Sequence, residues 1–365
     1  MTRYPLLIPD LPSAADLLPW LERIDANRQY SNFGPLNQEL EARLAEWIGR
    51  LGPQAHAVTL CNGTAALELG LQALGLPAGA RVLVPSLTFP ATALAVLRCG
   101  LQPVLAGVDP DSWLLTPEIA SRADCDAVLP VATYGMVQDT GAWDRFIADT
   151  GRPVLIDAAS ALGFQPVGRR AAVAFSLHAT KPFGCGEGGL VAAADTGFVE
   201  RVRRLGNFGF VNKQATDLGT NAKMSEYAAA VALAQLARRD HLLAQRRRIW
   251  DAYRPRLQRL PGVRLQSNPG DVPPSVLCVR LPGPAAPVAQ ALGDAGIECR
   301  QWYCPPLHRH PALTGCARTG DLGETDALAE RLLGLPFHHH LDDAAIEAIP
   351  AALARALDTQ RTTGQ

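Results

Sequence analysis

Between about residues 35 and 195, short and continuously apolar runs alternate with stretches of helical periodicity, and this alternation constrains the fold more than any other feature. A strand that is apolar at every position is covered on both faces, and a repeated strand–helix–strand order builds a parallel sheet flanked by helices. The runs predict strands at 57–60, 81–84, 103–106, 127–131, 154–156, 172–176 and 189–193. Helices are expected at 36–48, 64–74, 91–98, 141–149 and 196–205. Residues 206–221 read as a long polar loop, followed by helices at 224–238 and 239–260, the second ended by Pro261-Gly262. Beyond that point short strands (263–266, 276–281, 296–301) interleave with helices (287–294, 324–333, 343–354), and residues 359–365 read as a frayed polar tail. A chain of 365 residues exceeds the usual size of a single core. The expectation is an α/β protein: a large domain over residues 1–240 with a mostly parallel seven-stranded sheet, and a smaller α+β domain over 241–365.

Composition narrows the partners. A formal net charge of −1 gives no field that would gather nucleic acid or an anionic membrane, so small molecules are the expected ligands. Pro5, Pro9, Pro12 and Pro19 break up the N-terminal segment, which lacks the apolar run of a secretory signal. No stretch approaches the ~20 apolar residues of a membrane span, and the cytoplasm is the expected compartment. The eight cysteines include no Cys-x-x-Cys pair and read as reduced, mostly buried side chains. His338-His339-His340 has the look of a metal tract, but adjacent side chains diverge on a regular backbone. A solvated connection between strand and helix is the expected state there, and no metal site is expected.

The chemistry begins with a scarcity. Of 34 basic residues only Lys181, Lys213 and Lys223 are lysines, and only a lysine desolvated by its pocket can present an uncharged amine for a Schiff base. Lys181 follows the apolar run 172–177 and precedes the turn Gly184-Cys185-Gly186-Glu187-Gly188-Gly189. Asp157 ends the run Val154-Leu155-Ile156, at the mouth of the expected sheet. Alone it would read as a helix N-cap or a buried ion-pair partner. Opposed to a Schiff-base lysine, a carboxylate is what pyridoxal phosphate requires, because it keeps the ring nitrogen protonated and the ring electron-accepting. Asn62-Gly63-Thr64 follows a strand and opens a helix, so it fits either a phosphate cup of free amides or a turn with an N-cap. Ser176 either adds a hydroxyl to such a cup or is a buried strand serine. Phe89, just past a strand, either stacks on a flat ligand or packs in the core.

Taken in order, these segments resemble the DegT/DnrJ/EryC1/StrS family of aminotransferases, which have fold type I of the pyridoxal-phosphate enzymes. The resemblance rests on Tyr30-Ser31-Asn32-Phe33-Gly34-Pro35, Asn62-Gly63-Thr64-Ala65-Ala66-Leu67, Thr88-Phe89-Pro90-Ala91-Thr92, Tyr134-Gly135, Asp157-Ala158-Ala159, Ser176-Leu177-His178-Ala179-Thr180-Lys181 and Gly186-Glu187-Gly188-Gly189. It implies that Lys181 carries pyridoxal 5'-phosphate as a Schiff base, that Asp157 pairs with the ring nitrogen, and that Phe89 stacks on the ring. Gly63, Thr64 and Ser176 are implied as phosphate contacts. Asn221, within Gly219-Thr220-Asn221-Ala222-Lys223, is implied to reach the phosphate of a neighbouring subunit, which makes a homodimer with shared sites. Tyr303 and His308 are implied substrate contacts. The chain departs from the family pattern at Ser160, where glutamine or histidine usually meets the cofactor's ring hydroxyl, and at Ala132, where histidine is common. The implied reaction is a ping-pong transfer of an amino group from glutamate or glutamine to a keto group on a nucleotide-linked deoxysugar. A keto-cyclitol acceptor or a non-catalytic regulatory role are the alternatives.

Overall fold

A computed structural model describes residues 4–363, with side chains through residue 360. All seven expected strands of the large sheet are present: β1 (His56–Leu60), β2 (Arg81–Pro85), β3 (Gln102–Ala106), β4 (Ala127–Val128), β5 (Leu155–Asp157), β6 (Ala172–Ser176) and β7 (Gly189–Ala193). One half has the order β1-β7-β6-β5, and the other contains β4-β2-β3. The halves meet edge to edge through parallel bridges that pair Val128 with Val154 and Val131 with Asp157. Only β7 runs against its neighbours, β1 and β6; every other adjacent pair is parallel. The fold is thus the α/β, fold type I architecture.

Consecutive strand residues face opposite hydrophobic clusters, as the pleat requires. Ile156, Leu83 and Leu190 point into one cluster, with Leu36 and Trp143. Leu155, Val82 and Val191 point into the other, with Leu67 and Val202. Both faces are therefore sealed by helices, among them Pro35–Gly49, Gly63–Ala73 and Thr196–Leu205.

The remaining segments depart further from expectation. The prolines near the N-terminus do not prevent a helix at Ala14–Asn27, which starts at a capping box of Ser13 with Asp16 and keeps Pro19 inside. The 206–221 loop contains a small hairpin, β8 (Phe210–Val211) with β9 (Gln214–Ala215). In the C-terminal part β10 (Arg264–Leu265), β11 (Leu277–Arg280) and β13 (Leu332–Leu335) form an antiparallel sheet. Helices Arg239–Gln258, Ala285–Asp294 and Asp343–Thr363 accompany it, and Tyr253, Val279, Leu333 and Ile349 share one core. Leu332 and Leu333, expected to end a helix, belong instead to β13, where fully buried positions opposite Arg280 and Val279 favour a strand. The expected strand at 296–301 reduces to single bridges, Ile297 with Tyr4 and Arg300 with Gly334. Between β11 and β13, β12 (Ala317–Thr319) crosses to the large sheet and pairs parallel to β3. The tail expected to fray is helical to Thr363, and residues 364–365 lie outside the described residues.

His338 and His339 are not solvated. His338 is 5% exposed with Nε2 3.1 Å from the Pro5 carbonyl, and His339 Nδ1 lies 3.0 Å from Asp10 Oδ2. Both fasten the N-terminal segment. Among the described residues no cluster of three or more potential ligands could hold a metal, all eight cysteines are free, and no helix is long and apolar enough to cross a membrane.

Candidate active site

A cavity of about 510 Å³ opens at the carboxyl ends of the parallel strands, where ligands collect in open α/β sheets. Gly63, Thr64, Phe89, Asp157, Ser160, Ser176, Lys181 and Tyr303 all line it. Residues up to 240 positions apart in the chain thus meet at one spot, which their individual sequence contexts could not fix. A second groove of similar volume, between Trp113, Trp250 and Arg280, contains none of them.

Lys181 is half-buried and lines the cavity, and its Nζ donates to Ser160 Oγ at 2.9 Å. Burial lowers the pKa of its ammonium, with Asp157 opposing that shift. This is the environment an amine needs if it is to be found uncharged. Asp157 is 4% exposed; Oδ2 accepts from Thr92 Oγ1 at 2.8 Å and Oδ1 from the Ala159 amide at 3.1 Å. Burial raises its pKa above the usual carboxylate range, while Thr92, Ala159 and Lys181 oppose the shift. A carboxyl group held there without a full counter-charge is poised to receive a cationic partner.

Opposite these groups, the Gly63–Ala73 helix starts at the cavity. Asn62 caps it by accepting from the Ala65 amide at 2.8 Å, which leaves the amides of Gly63 and Thr64 without an intrahelical partner by position. Close approach explains the glycines here. A Cβ on Gly63 would stand 2.8 Å from Ser176 Cβ, and one on Gly189 would stand 2.1 Å from the Asn62 carbonyl oxygen. The ends of β1, β6 and β7 are thereby drawn together, with Gly189 opposite both Ser176 and Leu60. The Phe89 ring is 59% exposed and lines the cavity, so it is not the core phenylalanine its composition allowed.

Two sequence candidates lie elsewhere. His308, expected to contact substrate, is 2% exposed between Ser86 and Asp326 and is not among the residues that line the cavity. Asn221 is exposed, bridged to Asn207, and outside this cavity. Sequence reading also missed several wall residues. Thr92 was visible only as part of a motif, and its bond to Asp157 depends on the fold. Tyr134 takes a left-handed backbone (φ 61°), donates to the Trp302 carbonyl at 3.2 Å and stacks on Tyr303 with ring centroids 5.2 Å apart. Leu6, Leu7 and Phe337 come from the two ends of the chain and carried no local signal.

A half-buried amine, a buried carboxyl, a helix start with free amides beside a serine hydroxyl, and an exposed ring fit a flat, phosphorylated aldehyde with a basic ring nitrogen. Pyridoxal phosphate is such a molecule. The chain is 35% identical to the erythromycin biosynthesis sensory transduction protein EryC1 of Saccharopolyspora erythraea, over 88% of this chain and 90% of that protein. It is 30% identical to a dTDP-4-amino-4,6-dideoxy-D-glucose transaminase of Shigella dysenteriae, over 94% and 96%. Among solved structures, a putative PLP-dependent aminotransferase from Bacillus cereus superposes with a TM-score of 0.89 at 30% identity, covering 96% of this chain and 99% of that one. Residues 14–354 match the DegT/DnrJ/EryC1/StrS aminotransferase family, so the chain belongs to that family, and membership implies pyridoxal phosphate as its cofactor.

Proposed function

We propose that the protein transfers an amino group from glutamate or glutamine to a keto group on a nucleotide-linked deoxysugar. The observation that carries this reading is the convergence, in one cavity, of Lys181 on Ser160 with the buried Asp157. The dTDP-sugar transaminase of Shigella supports the acceptor class. When bound, pyridoxal phosphate supplies an electrophilic aldehyde and an electron-accepting ring. Lys181 would hold it through Nζ, and the same amine, when free, would serve as the base that moves a proton at the donor's α-carbon. Burial keeps that amine ready to act as a base. Asp157, oriented by Thr92 and the Ala159 amide, holds the proton on the ring nitrogen. Phe89 would cover one face of the ring, and Gly63, Thr64 and Ser176 would hold the phosphate. Ser160, within hydrogen-bond distance of Lys181, would stand where the ring hydroxyl adjacent to the aldehyde is met. Tyr303 contacts the sugar, and Asn221 reaches the phosphate of a second subunit in a homodimer.

Two measurements test this. Borohydride reduction of the loaded protein followed by peptide mapping is expected to put the label on Lys181; a label on another residue refutes the assignment. Incubation with glutamate or glutamine and a panel of nucleotide keto-sugars and keto-cyclitols is expected to give an amino sugar nucleotide and the 2-oxo acid. Amination of the cyclitols alone would move the substrate class.

A further inference from the structure

Ser86 follows the carboxyl end of β2 and is fully buried. Its amide donates to the Ala106 carbonyl at 2.7 Å, and its own carbonyl accepts from the Leu307 amide at 2.9 Å. The side chain continues this junction: Oγ lies 2.6 Å from His308 Nδ1 and accepts from the His308 amide at 3.3 Å. On the far side of the imidazole, Nε2 lies 2.9 Å from Asp326 Oδ1, off the line of a hydrogen bond, and Asp326 also pairs with Arg309. One tautomer satisfies the group. Nδ1 accepts from the Ser86 hydroxyl, the Nε2 proton faces the carboxylate, and Ser86 Oγ accepts the amide proton.

A serine, histidine and aspartate in that order have the makings of a hydrolytic triad. Burial rules that out as a working nucleophile, since neither Ser86 nor His308 lines either cavity. The segment that Ser86 begins gives the relay its meaning. Leu87 packs with Tyr134, Leu328 and Leu332. Thr88 shares a 3.1 Å hydroxyl contact with Thr92, which in turn donates to Asp157. Phe89 presents its ring to the cavity. From the other end of the relay, the Gly323–Arg331 helix that carries Asp326 passes directly into β13, which brings Leu335 to the opposite wall.

We propose that His308 is a positioning residue: through Ser86 it fixes residues 86–89, and with them the Phe89 ring and the Thr92–Asp157 bond, relative to the C-terminal wall of the cavity. The inference rests on the cofactor reading given above. The test compares Ser86→Ala, His308→Gln and His308→Asn apoproteins with wild type. Asparagine leaves an acceptor where Nδ1 was; glutamine reaches towards Asp326 and abandons Ser86. Pyridoxal phosphate affinity, the induced circular dichroism of the bound cofactor and apoprotein Tm are measured on each. Ser86→Ala and His308→Gln are expected to weaken affinity about tenfold, as loss of one buried hydrogen bond allows, and to shrink the dichroic band; His308→Asn stays within about threefold of wild type. If Ser86→Ala does not fold, the asparagine–glutamine pair makes the same comparison. Affinity and dichroism unchanged in His308→Gln, whatever happens to Tm, overturn the inference, as does an asparagine variant as impaired as the glutamine one. A wild-type protein that takes up no pyridoxal phosphate overturns the cofactor reading itself and the inference with it, whereas wild-type uptake with indifferent variants overturns the inference alone.

Discussion

Asp157 and Lys181 are each held in the less charged direction by burial, so the cavity without its cofactor is destabilised in a pH-dependent way. For Asp157 the folded pKa lies above the unfolded one, so the folded chain holds the proton longer. Apoprotein stability therefore falls as pH rises from about the ordinary carboxylate value of 3.8 through the raised value, and stays low above it. Asp157→Asn removes that cost while leaving an oxygen to accept from Thr92 or Ala159. Its apoprotein is expected to melt higher than wild-type apoprotein at neutral pH, with the gap closing below pH 4, and to lose cofactor affinity at the same time. A gap that does not change with pH would mean that burial of the charge is not its source. Lys181 has the opposite window: its folded pKa is lowered, so its penalty is relieved as pH rises from that value to 10.5. The identities of both residues were legible in the sequence, since few lysines compete and Asp157 directly ends an apolar run. Their surroundings were not, because Thr92 and Ser160 reach them only through tertiary packing.

Elements whose stabilisation is local were legible, and elements stabilised from afar were not. The strands of the large sheet announce themselves as predominantly apolar runs, and the helix at 226–237, capped by Ser225 accepting from the Ala228 amide, falls within the expected 224–238. The Pro35–Gly49 helix has no side-chain cap of its own, since Gly34 is its N-cap. Glu226, buried to 1% exposure, supplies one across 190 residues by accepting from the Leu36 and Asn37 amides at 2.9 Å each. A carboxylate at a helix start satisfies two orphan donors and complements the dipole. Gly34 is required for this, because a Cβ there would lie 2.6 Å from Glu226 Cδ. Glu226→Gln keeps the shape but replaces one accepting oxygen with a donor, and is expected to cost about 1–3 kcal/mol in urea unfolding. An undiminished midpoint would show that the two contacts contribute nothing net. β12 escaped sequence reading for the related reason that its partner, β3, lies more than 200 residues earlier, and exposed Ala317 and Arg318 give it no apolar run.

Across the whole molecule, we retain as a proposal the division into domains at residues 1–240 and 241–365, with β12 as a C-terminal strand lent to the large sheet. The N-terminal segment joins the two parts: Tyr4 pairs beside Ile297, Leu6 accepts from the Phe337 amide, and Asp10 binds Arg238, Gln235 and His339. Burial lowers the His339 pKa to about 4, so His339 is neutral at pH 7 and donates to Asp10 as a hydrogen bond. As pH falls below 6.5 the unfolded chain takes up the proton first, so stability is lost between 6.5 and about 4. His339→Asn is expected to flatten the Tm profile in that window, and a profile as steep as wild type would exclude His339 as its cause. The proposed dimer is argued from the exposure of Phe208, Phe210, Tyr227 and especially Leu218, 95% exposed, around Asn221, which does not line its own chain's cavity. If Asn221 serves a neighbour, each active site takes Lys181 from one subunit and Asn221 from the other. Homodimers of Lys181→Ala and of Asn221→Ala are then both impaired, but a mixed dimer has one doubly damaged site and one intact site. Random exchange between equal amounts of the two is expected to restore about a quarter of wild-type sites, as two-fold symmetry dictates. If Asn221 acts within its own subunit, every site in the mixture remains damaged and activity after exchange equals the mean of the two variants measured apart.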